Sequence, residues 1–325
     1  MRAATYPKYG SPDVIEVRDI DRPVPGPDEV LIRVHAASVN PLDWHMLRGT
    51  PRFLRLTEGL FRPKHPVLGA DVAGVVVEVG ADVGDLAIGD EVFGEIGHGA
   101  IAEFARCPVS CVARKPASVS WEAAAAVPVA ALTALQGLRD VGQIRSGMKV
   151  LVNGASGGVG IFAVQIAKSY GAEVTGVCST GNLDLVRKAG ADHVIDYTSA
   201  DFTRGEARYD LIFDAVGNRR VSELKRALTP TGACALMGFD TMGLLAANMI
   251  AGKFATKSGG QRFGNLTAHP NRADLEIIAG LLDSGALRPF IDRRYTLDQT
   301  ADAIRYLETR RVRGKLIVTV DGAVE

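Results

Sequence analysis

The sequence predicts an α/β protein in which a β-rich domain accompanies a domain built on a doubly wound, parallel β-sheet. Three observations lead to this prediction. The chain has 325 residues, more than a single hydrophobic core usually organises, so two domains are expected. Its first part carries short valine-rich runs separated by Gly and Pro, the pattern of strands and turns. From residue 149 onward strand patterns alternate with helix patterns, which is typical of a parallel sheet.

The β-rich part comes first along the chain. Its apolar runs are rich in β-branched residues and predict strands. These strands cover residues 30–34, 72–79, 92–93 and 102–105. The pattern changes near Trp121, where residues 122–140 are rich in Ala and Leu and predict one helix, with Ser120 as its N-cap.

The alternating part occupies the middle of the chain. Strands are predicted at residues 149–153, 173–178, 193–196, 211–214 and 233–237, and helices at 158–170, 183–189 and 221–228. Beyond about residue 264, helices are predicted at 272–283 and 297–309, and a last strand at 315–320. The simplest arrangement folds the two flanking pieces together, which gives one domain of residues 1–122 and 265–325 and another of residues 123–264.

Composition and charge exclude several classes of protein. Lys and Arg total 37 and Asp and Glu total 37, so the formal net charge is zero, whereas a nucleic-acid-binding protein usually has a basic excess. No stretch reaches the ~18 apolar residues of a membrane helix, and the first residues lack a signal-peptide core. A cytoplasmic protein without nucleic-acid or membrane partners is expected. The four cysteines are scattered, which predicts reduced thiols and no disulfide framework.

The strongest local motif is a glycine-rich loop between a predicted strand and a predicted helix. It reads Gly154, Ala155, Ser156, Gly157, Gly158, Val159, Gly160. Gly157 and Gly160 match the dinucleotide template G-x-G-x-x-G, and Ala155 replaces its first glycine. Glycines allow close backbone approach, and the helix N-terminus supplies N–H donors to a pyrophosphate. A mere tight turn is the alternative; the strand–turn–helix context favours a dinucleotide site.

The second strand of this unit indicates which dinucleotide is bound. An NAD site usually carries Asp or Glu about 20 residues beyond the loop, on the ribose 2′-hydroxyl. Here the strand is followed by Ser179, Thr180, Gly181 and Asn182, and no acid occurs before Asp184. The hydroxyls of Ser179 and Thr180 suit a 2′-phosphate, which an acid would repel. NADPH is therefore the expected cofactor, with NADH possible but weaker, because no cation stands at Gly181 or Asn182.

At this point the whole chain, from about residue 1 to 320, resembles the medium-chain dehydrogenase/reductase superfamily. The resemblance rests on residues 39–43, 66–76, 89–94 and 130–134 and on the loop 154–160. It implies a GroES-like β-rich domain and a Rossmann domain, in agreement with the patterns above.

Zinc-dependent alcohol dehydrogenases of this superfamily place a cysteine where this chain has Asn40. They place Gly-His-Glu where it has Gly69, Ala70 and Asp71. Catalytic zinc needs three protein ligands, so no metal site is expected. The resemblance is therefore to the zinc-independent quinone oxidoreductase branch, which uses NADPH.

The resemblance also implies roles for individual residues. Asn40 would lie beside the nicotinamide, with Thr133 and the backbone at Gly238 and Phe239 holding that ring. Tyr197 would lie near the 2′-phosphate, Val216 and Gly217 would meet the adenosine half, and Lys315 would reach the cofactor.

The reaction expected from these features is hydride transfer from nicotinamide C4 to a quinone or similar electrophilic small molecule. His45 is the local candidate for the proton that must follow, because histidine titrates near neutral pH; solvent would serve a quinol oxygen equally well. The alternatives are an enoyl or enone (C=C) reductase and an NADPH-binding protein without turnover. A homodimer is expected by family analogy and because residues 261–266 resemble an edge strand that needs covering.

Overall fold

The computed structural model describes residues 1–258, 260–265 and 267–320. The chain divides into two compact units: unit 1 comprises Met1–Ala130, Pro270–Gly285 and the chain from Pro289 onward, and unit 2 comprises Ala131–His269 and Ala286–Arg288. The sequence placed the first boundary at residue 122. Unit 1 extends further because the helix Trp121–Ala125 packs against four strands of its sheet.

The described residues form fifteen strands and ten α-helices. The strands are β1 Arg2–Thr5, β2 Glu16–Asp19, β3 Glu29–Val39, β4 Asp71–Val79, β5 Glu91–Glu95, β6 Phe104–Pro108, β7 Val112–Arg114, β8 Lys149–Asn153, β9 Glu173–Cys178, β10 His193–Asp196, β11 Tyr209–Asp214, β12 Leu228–Leu236, β13 Arg262–Asn265, β14 Ile291–Thr296 and β15 Lys315–Thr319. The α-helices are α1 Pro41–Arg48, α2 Arg55–Glu58, α3 Trp121–Ala125, α4 Pro128–Gln136, α5 Gly158–Ser169, α6 Leu183–Lys188, α7 Val221–Ala227, α8 Met242–Ser258, α9 Arg272–Asp283 and α10 Thr300–Glu308.

The main sheet of unit 1 is organised around the long strand β3. The strand order is β14-β15-β3-β4-β5-β7, with β6 paired to one end of β3. Ser38 pairs with Asp71, Leu316 with Val39, and Asp71 with Glu95. The end of β3, the start of β4, the end of β5 and the start of β15 therefore meet at one place. Apolar side chains such as Val30, Ile32 and Val34 form the core beneath.

Unit 2 contains the predicted doubly wound sheet. Its described strands run in the order β10-β9-β8-β11-β12-β13, and every neighbouring pair is parallel. This order confirms the sequence prediction, since it is the classical dinucleotide-binding arrangement. The carboxyl ends of its strands form the edge where ligands bind in such sheets.

Several elements differ from the sequence predictions. The predicted helix over residues 122–140 is wrong: α3 ends at Ala125, α4 begins at Pro128, and a π-helical turn follows over Gly137–Val141. Pro128 starts α4, because proline lacks an N–H and disfavours helical geometry in the residue before it. The N-cap at Ser120 is confirmed, as its Oγ accepts from Ala123 N at 3.2 Å. The predicted strand at 102–105 lies at Phe104–Pro108 instead.

Seven described elements had no predicted counterpart: β1, β2, β7, β14, α1, α2 and α8. α1 is short and only weakly amphipathic, so its sequence carries little helical period. No described helix combines the length and the apolar character needed to cross a membrane.

Candidate active site

A buried polar cluster lies where the four strands of unit 1 meet. Asn40 follows β3 and is the N-cap of α1, and its Nδ2 donates to Asp71 Oδ2 at 2.8 Å. Lys315, the first residue of β15, donates to Asn40 Oδ1 and lies 3.4 Å from Asp71 Oδ2. The side chains of Lys315 and Asp71 are 3% and 0% exposed. The structure therefore brings two predicted cofactor residues, Asn40 and Lys315, into direct contact and places both beside the Asp71 carboxylate.

Asp71 is the hub of this cluster. Its Oδ2 also accepts from Ser38 Oγ at 2.5 Å, and its Oδ1 accepts from Val129 N at 2.8 Å. Val129 belongs to the first turn of α4, where unpaired N–H groups and the helix dipole favour a negative charge. A buried ion pair that is fully hydrogen-bonded in this way holds its geometry firmly.

Asp43 orients the start of α1. Its Oδ2 accepts from Asn40 N at 2.7 Å and its Oδ1 from Gly69 N at 3.0 Å. Burial raises the pKa of Asp43 to about 7, against the lowering effect of its backbone hydrogen bonds. Asp43 thus fixes Asn40 and the backbone at Gly69 together.

Glu95 is a third carboxyl group at the cluster, and sequence reasoning did not identify it. It ends β5, directly across the strand pair from Asp71, and is 8% exposed. Its Oε2 is buried and has no hydrogen-bond partner within the described ranges. Burial raises the pKa of Glu95 to about 8, with the charge of Asp71 adding to the effect. Only the register of β4 and β5 brings this residue to the cluster, which a linear reading cannot show.

His45 lies on α1, partly buried. Its Nδ1 is 2.7 Å from the carbonyl of Thr50. Because that carbonyl can only accept, Nδ1 carries the proton of the neutral ring. Burial lowers the pKa of His45, so the ring is neutral near pH 7. Its bound proton faces the Thr50 carbonyl, which makes His45 a poor source of a proton for a substrate.

In unit 2 the glycine-rich loop connects β8 to α5. Gly157 is the N-cap of α5. A Cβ added at Gly157 would touch only Gly154 O, at 3.4 Å, whereas a Cβ at Gly160 would lie 2.0 Å from the same oxygen. Gly160 is therefore required because the loop backbone packs directly against the start of α5. Gly157 instead borders open space, as expected of a residue that a pyrophosphate would approach. Ser156, Gly158 and Val159 are partly exposed in the same turn.

Ala155 replaces the first template glycine without disturbing this loop. It is fully buried, and its N–H donates to Val177 O at 3.0 Å. Its Cβ lies 3.0 Å from the position that a Cβ on Gly176 would occupy. A glycine on β9 thus makes room for the alanine.

The rim after β9 carries the predicted 2′-phosphate residues. Asn182 Nδ2 donates to Ser156 Oγ at 3.1 Å and is 3.3 Å from Ser179 Oγ. Thr180 donates its hydroxyl to Asp196 Oδ2 at 2.5 Å. Asp196 ends β10, where it pairs in register with Cys178. The rim therefore carries an acid that was not predicted, because Asp196 reaches it through the pairing of β10 with β9 and lies far from Ser179 along the chain.

Tyr197 follows Asp196 and is 57% exposed. Asp196 is solvated, and the hydroxyls of Thr180 and Thr198 hold its pKa below the usual range. The rim is thus an exposed, weakly acidic surface with the Tyr197 ring at its side.

The loops after β11 and β12 lie against each other. Asp214 Oδ1 accepts from the N–H groups of Val216 and Gly217 at 3.1 and 2.9 Å, which shapes the first loop. A Cβ on Gly217 would lie 2.1 Å from Gly238 O, so the two loops touch through their backbones. Phe239, next to Gly238, is 37% exposed. The structure brings the predicted residues Val216, Gly217, Gly238 and Phe239 together at the carboxyl edge of the sheet.

Comparison with known proteins places the chain in a family. The family model "Alcohol dehydrogenase GroES-like domain" matches residues 26–117, and "Zinc-binding dehydrogenase" matches residues 189–318. The chain is 35% identical over 337 residues to 2-methylene-furan-3-one reductase of Solanum lycopersicum, covering 98% of this chain and 79% of that protein. It is 33% identical to NADPH-dependent alkenal/one oxidoreductase, chloroplastic, of Arabidopsis thaliana, with the same coverage.

A solved structure gives the same result. The quinone oxidoreductase from Coxiella burnetii superposes with a TM-score of 0.85 at 30% identity, covering 98% of this chain and 99% of that one. The chain belongs to the medium-chain dehydrogenase/reductase superfamily, in its quinone oxidoreductase branch. The resemblance seen in the sequence is confirmed, as is the combination of a GroES-like domain with a Rossmann domain.

Family membership raises the question whether the residues present fit a catalytic zinc ion. Asn40 offers an amide that is already bonded to Asp71 and Lys315, and Ala70 has no donor atom. The Lys315 ammonium already neutralises Asp71. The described residues contain no group of three or more His, Cys, Asp or Glu side chains placed to hold a metal ion. This donor set does not fit a tetrahedral site with three protein ligands.

The remaining predicted residue, Thr133, is partly buried on α4, one helical turn beyond Val129. The roles of Asn40, Thr133, Lys315 and the unit 2 residues toward a cofactor stay predictions. The glycine-rich loop, the rim and the two touching loops all lie at the carboxyl ends of the strands of unit 2.

Proposed function

We propose that the protein is a zinc-independent, NADPH-dependent reductase that transfers a hydride to a quinone or a similar electrophilic small molecule. The observation that carries this proposal is the Asn40–Asp71–Lys315 cluster. Zinc-dependent members of the superfamily place a cysteine at the position of Asn40, and here the Asn40 amide is bonded to the Asp71–Lys315 ion pair instead. Without a Lewis acid, oxidation of an unactivated alcohol is disfavoured. An acceptor that is already electrophilic does not need one.

The glycine-rich loop supports the cofactor part of the proposal. The open space at Gly157 and the N-terminus of α5 suit a pyrophosphate. The bound nicotinamide would supply the hydride. The chain's own residues would hold it: Asn40 is fixed by Asp43 and Asp71 so that its position is set before any ligand arrives. Such preorganisation lowers the cost of reaching near-attack geometry.

Ser179 and Tyr197 support NADPH over NADH at the rim, whereas Asp196 opposes it. Because Thr180 already donates its hydroxyl to Asp196, it does not also donate to a phosphate. The proposed preference for NADPH is therefore modest, and NADH is a usable but weaker cofactor.

Reduction of an activated C=C bond is the second candidate for the same site. Glu95 favours it, because protonation of carbon needs a nearby acid more than protonation of a quinol oxygen does. The names of the tomato and Arabidopsis relatives indicate the same class of acceptor.

Oxidation of NADPH by the purified protein tests these proposals. We expect turnover with small quinones or with α,β-unsaturated ketones, and a rate that a metal chelator does not change. The ratio of kcat/KM for the two acceptor classes decides between the two candidates. NADPH binding without turnover of any acceptor would support a non-catalytic protein, and about one tightly bound zinc per chain would refute zinc independence.

We also propose a cytoplasmic homodimer assembled through unit 2. Strand β13, Arg262–Asn265, pairs only with β12 and forms the described edge of the sheet; Leu266, the last residue of the predicted edge strand, lies outside the described residues. The exposed side chains of Ile250 and Phe254 lie on α8, which packs against β13. Light scattering should give twice the mass of the chain, and a monomer at micromolar concentration would contradict this. The free cysteines Cys107, Cys111, Cys178 and Cys234 agree with a reducing compartment.

A further inference from the structure

Glu95 is a buried carboxyl group whose position the capping and ion-pair contacts of the cluster do not explain. Asp43 bonds two backbone N–H groups and Asp71 has four donors, but Glu95 Oε2 has none within the described ranges. A buried unpaired carboxylate is costly, and a buried carboxylic acid is far less so. A chain that needed only stability at this position would be better served by an apolar residue.

The charged groups around Glu95 come from each neighbouring element. Asp71 faces Glu95 from the neighbouring strand β4. Asp43 on α1 and Lys315 on β15 also act on its charge, and the Cys111 thiol lies near it in the turn Val109–Cys111. The charges of Asp71 and Asp43 disfavour ionisation of Glu95, and the Lys315 ammonium favours it. Burial and the charge of Asp71 raise the pKa of Glu95 to about 8, while Lys315 acts in the opposite direction.

We propose that Glu95 is the acid that supplies the proton for the reduction. This inference rests on the proposed function. The hydride forms the new C–H or O–H bond on the acceptor and leaves an anion there. The O–H bond of the Glu95 carboxylic acid then breaks, its proton passes to that anion, and Glu95 remains as a carboxylate. One proton taken up from solvent then returns Glu95 to the carboxylic acid.

Two features separate Glu95 from the other candidate acids. His45 directs its proton at the Thr50 carbonyl and has a lowered pKa. Asp43 has both oxygens engaged by backbone N–H groups. Glu95 alone of these three combines a raised pKa with a buried oxygen that no described residue uses.

The first test does not depend on turnover. In the ligand-free protein labelled with ¹³C at glutamate carboxyl carbons, one resonance should titrate near pH 8 and be absent from Glu95→Gln. The control variant, Glu91→Gln, lies on the same strand but is exposed and paired with Lys115, and it should keep that resonance. A Glu95 resonance that titrates in the ordinary range, near pH 4.3, would overturn the proposal.

The second test measures kcat/KM with NADPH and an unsaturated ketone. Glu95→Gln should lose roughly hundredfold at pH 7, the lower range of general acid catalysis, with NADPH affinity within about twofold of wild type. Wild-type kcat/KM should fall above about pH 8 while that of Glu95→Gln stays flat. With a quinone, whose reduced oxygen takes a proton from water, the loss should be below tenfold. Glu95→Asp, which keeps an acid, should recover part of the activity and guards against a folding defect in the amide variant.

The outcomes separate this inference from the function on which it rests. Wild-type protein that oxidises NADPH, together with Glu95→Gln that matches it on the unsaturated ketone at every pH, overturns the role of Glu95 alone. Wild-type protein that oxidises NADPH with neither class of acceptor overturns both.

Discussion

The buried cluster of unit 1 and the exposed rim of unit 2 carry similar groups in opposite settings. Both centre on an aspartate that accepts hydroxyl hydrogen bonds, Asp71 from Ser38 and Asp196 from Thr180. Asp71 is fully buried and paired with Lys315, while Asp196 is solvated. Water screens the charge of Asp196, but the charge of Asp71 acts at nearly full strength on its neighbours. The cluster therefore holds its side chains in fixed positions, whereas we expect the rim to have only a modest effect on the preference for NADPH over NADH.

The largest expected effect follows from breaking the buried ion pair. Asp71→Ala leaves the Lys315 ammonium buried without its partner carboxylate, which should lower the free energy of unfolding by about 3–5 kcal/mol. The matched change at the rim, Asp196→Ala, should leave stability nearly unchanged. Urea denaturation at pH 7 measures both. If both variants lost the same free energy of unfolding, the buried cluster and the exposed rim would not differ in their contribution to stability.

The second prediction concerns the pH dependence of stability. The folded pKa of Glu95, about 8, exceeds that of an unfolded glutamate, about 4.3, so the folded state binds more protons between these values. Glu95 therefore makes stability fall as pH rises from about 4.3 to 8, by at most about 1.4 kcal/mol per pH unit.

Glu95→Gln removes this dependence. Relative to wild type, the variant should become steadily more stable from pH 5 to 8 in thermal or urea denaturation. Asp43, whose pKa is also raised, contributes to both proteins and cancels in the difference. A stability difference that does not vary with pH would show that Glu95 is ionised in the folded protein.

The third prediction separates two glycines of one loop. Gly160→Ala places a Cβ 2.0 Å from Gly154 O, so the loop must shift, at a cost of about 1–3 kcal/mol. Gly157→Ala meets only ordinary contact and should change stability by less than about 0.5 kcal/mol. Gly157→Val should weaken NADPH binding by about tenfold or more, or ~1.4 kcal/mol, with an unchanged melting temperature. Fluorescence titration that finds wild-type NADPH affinity in Gly157→Val would refute the pyrophosphate assignment.

Much of the fold was predictable from sequence, because local patterns encode it. The β8–loop–α5–β9 unit was predicted nearly to the residue, since apolar runs and glycines lie beside each other in the chain. Strand β12 was located but begins at Leu228, five residues before its predicted start. The loop residues were predictable for the same reason. Pro128 was a local signal for the break between α3 and α4, but the alanine-rich composition around it favoured one continuous helix.

Glu95 and Asp196 escaped prediction for a different reason. Each reaches its site through strand register, Glu95 opposite Asp71 and Asp196 beside Cys178, and register is set by tertiary pairing. Asn40 and Lys315 were identified by family resemblance, but their mutual contact across 275 positions was not.

The smallest expected effect is cofactor preference at the rim. We expect a wild-type ratio of kcat/KM for NADPH over NADH of about ten, the low end for one charge-assisted hydrogen bond at an exposed site. Asp196→Asn and Gly181→Arg should each raise the ratio, by removing repulsion or adding a cation. Ser179→Asp should invert it. A wild-type ratio below one, or a ratio that none of the three variants changes, would show that the 2′ position is read elsewhere.

The central claim, direct hydride transfer from NADPH to an electrophilic acceptor, is tested most directly by isotope labelling. Wild-type protein is given NADPH carrying deuterium at nicotinamide C4, each C4 position labelled in turn, and an unsaturated ketone in ordinary water. The account predicts one deuterium at the β-carbon of the product from one of the two labelled cofactors and a hydrogen from water at the α-carbon. A reduced product without deuterium from either cofactor would contradict direct hydride transfer and with it the proposed function.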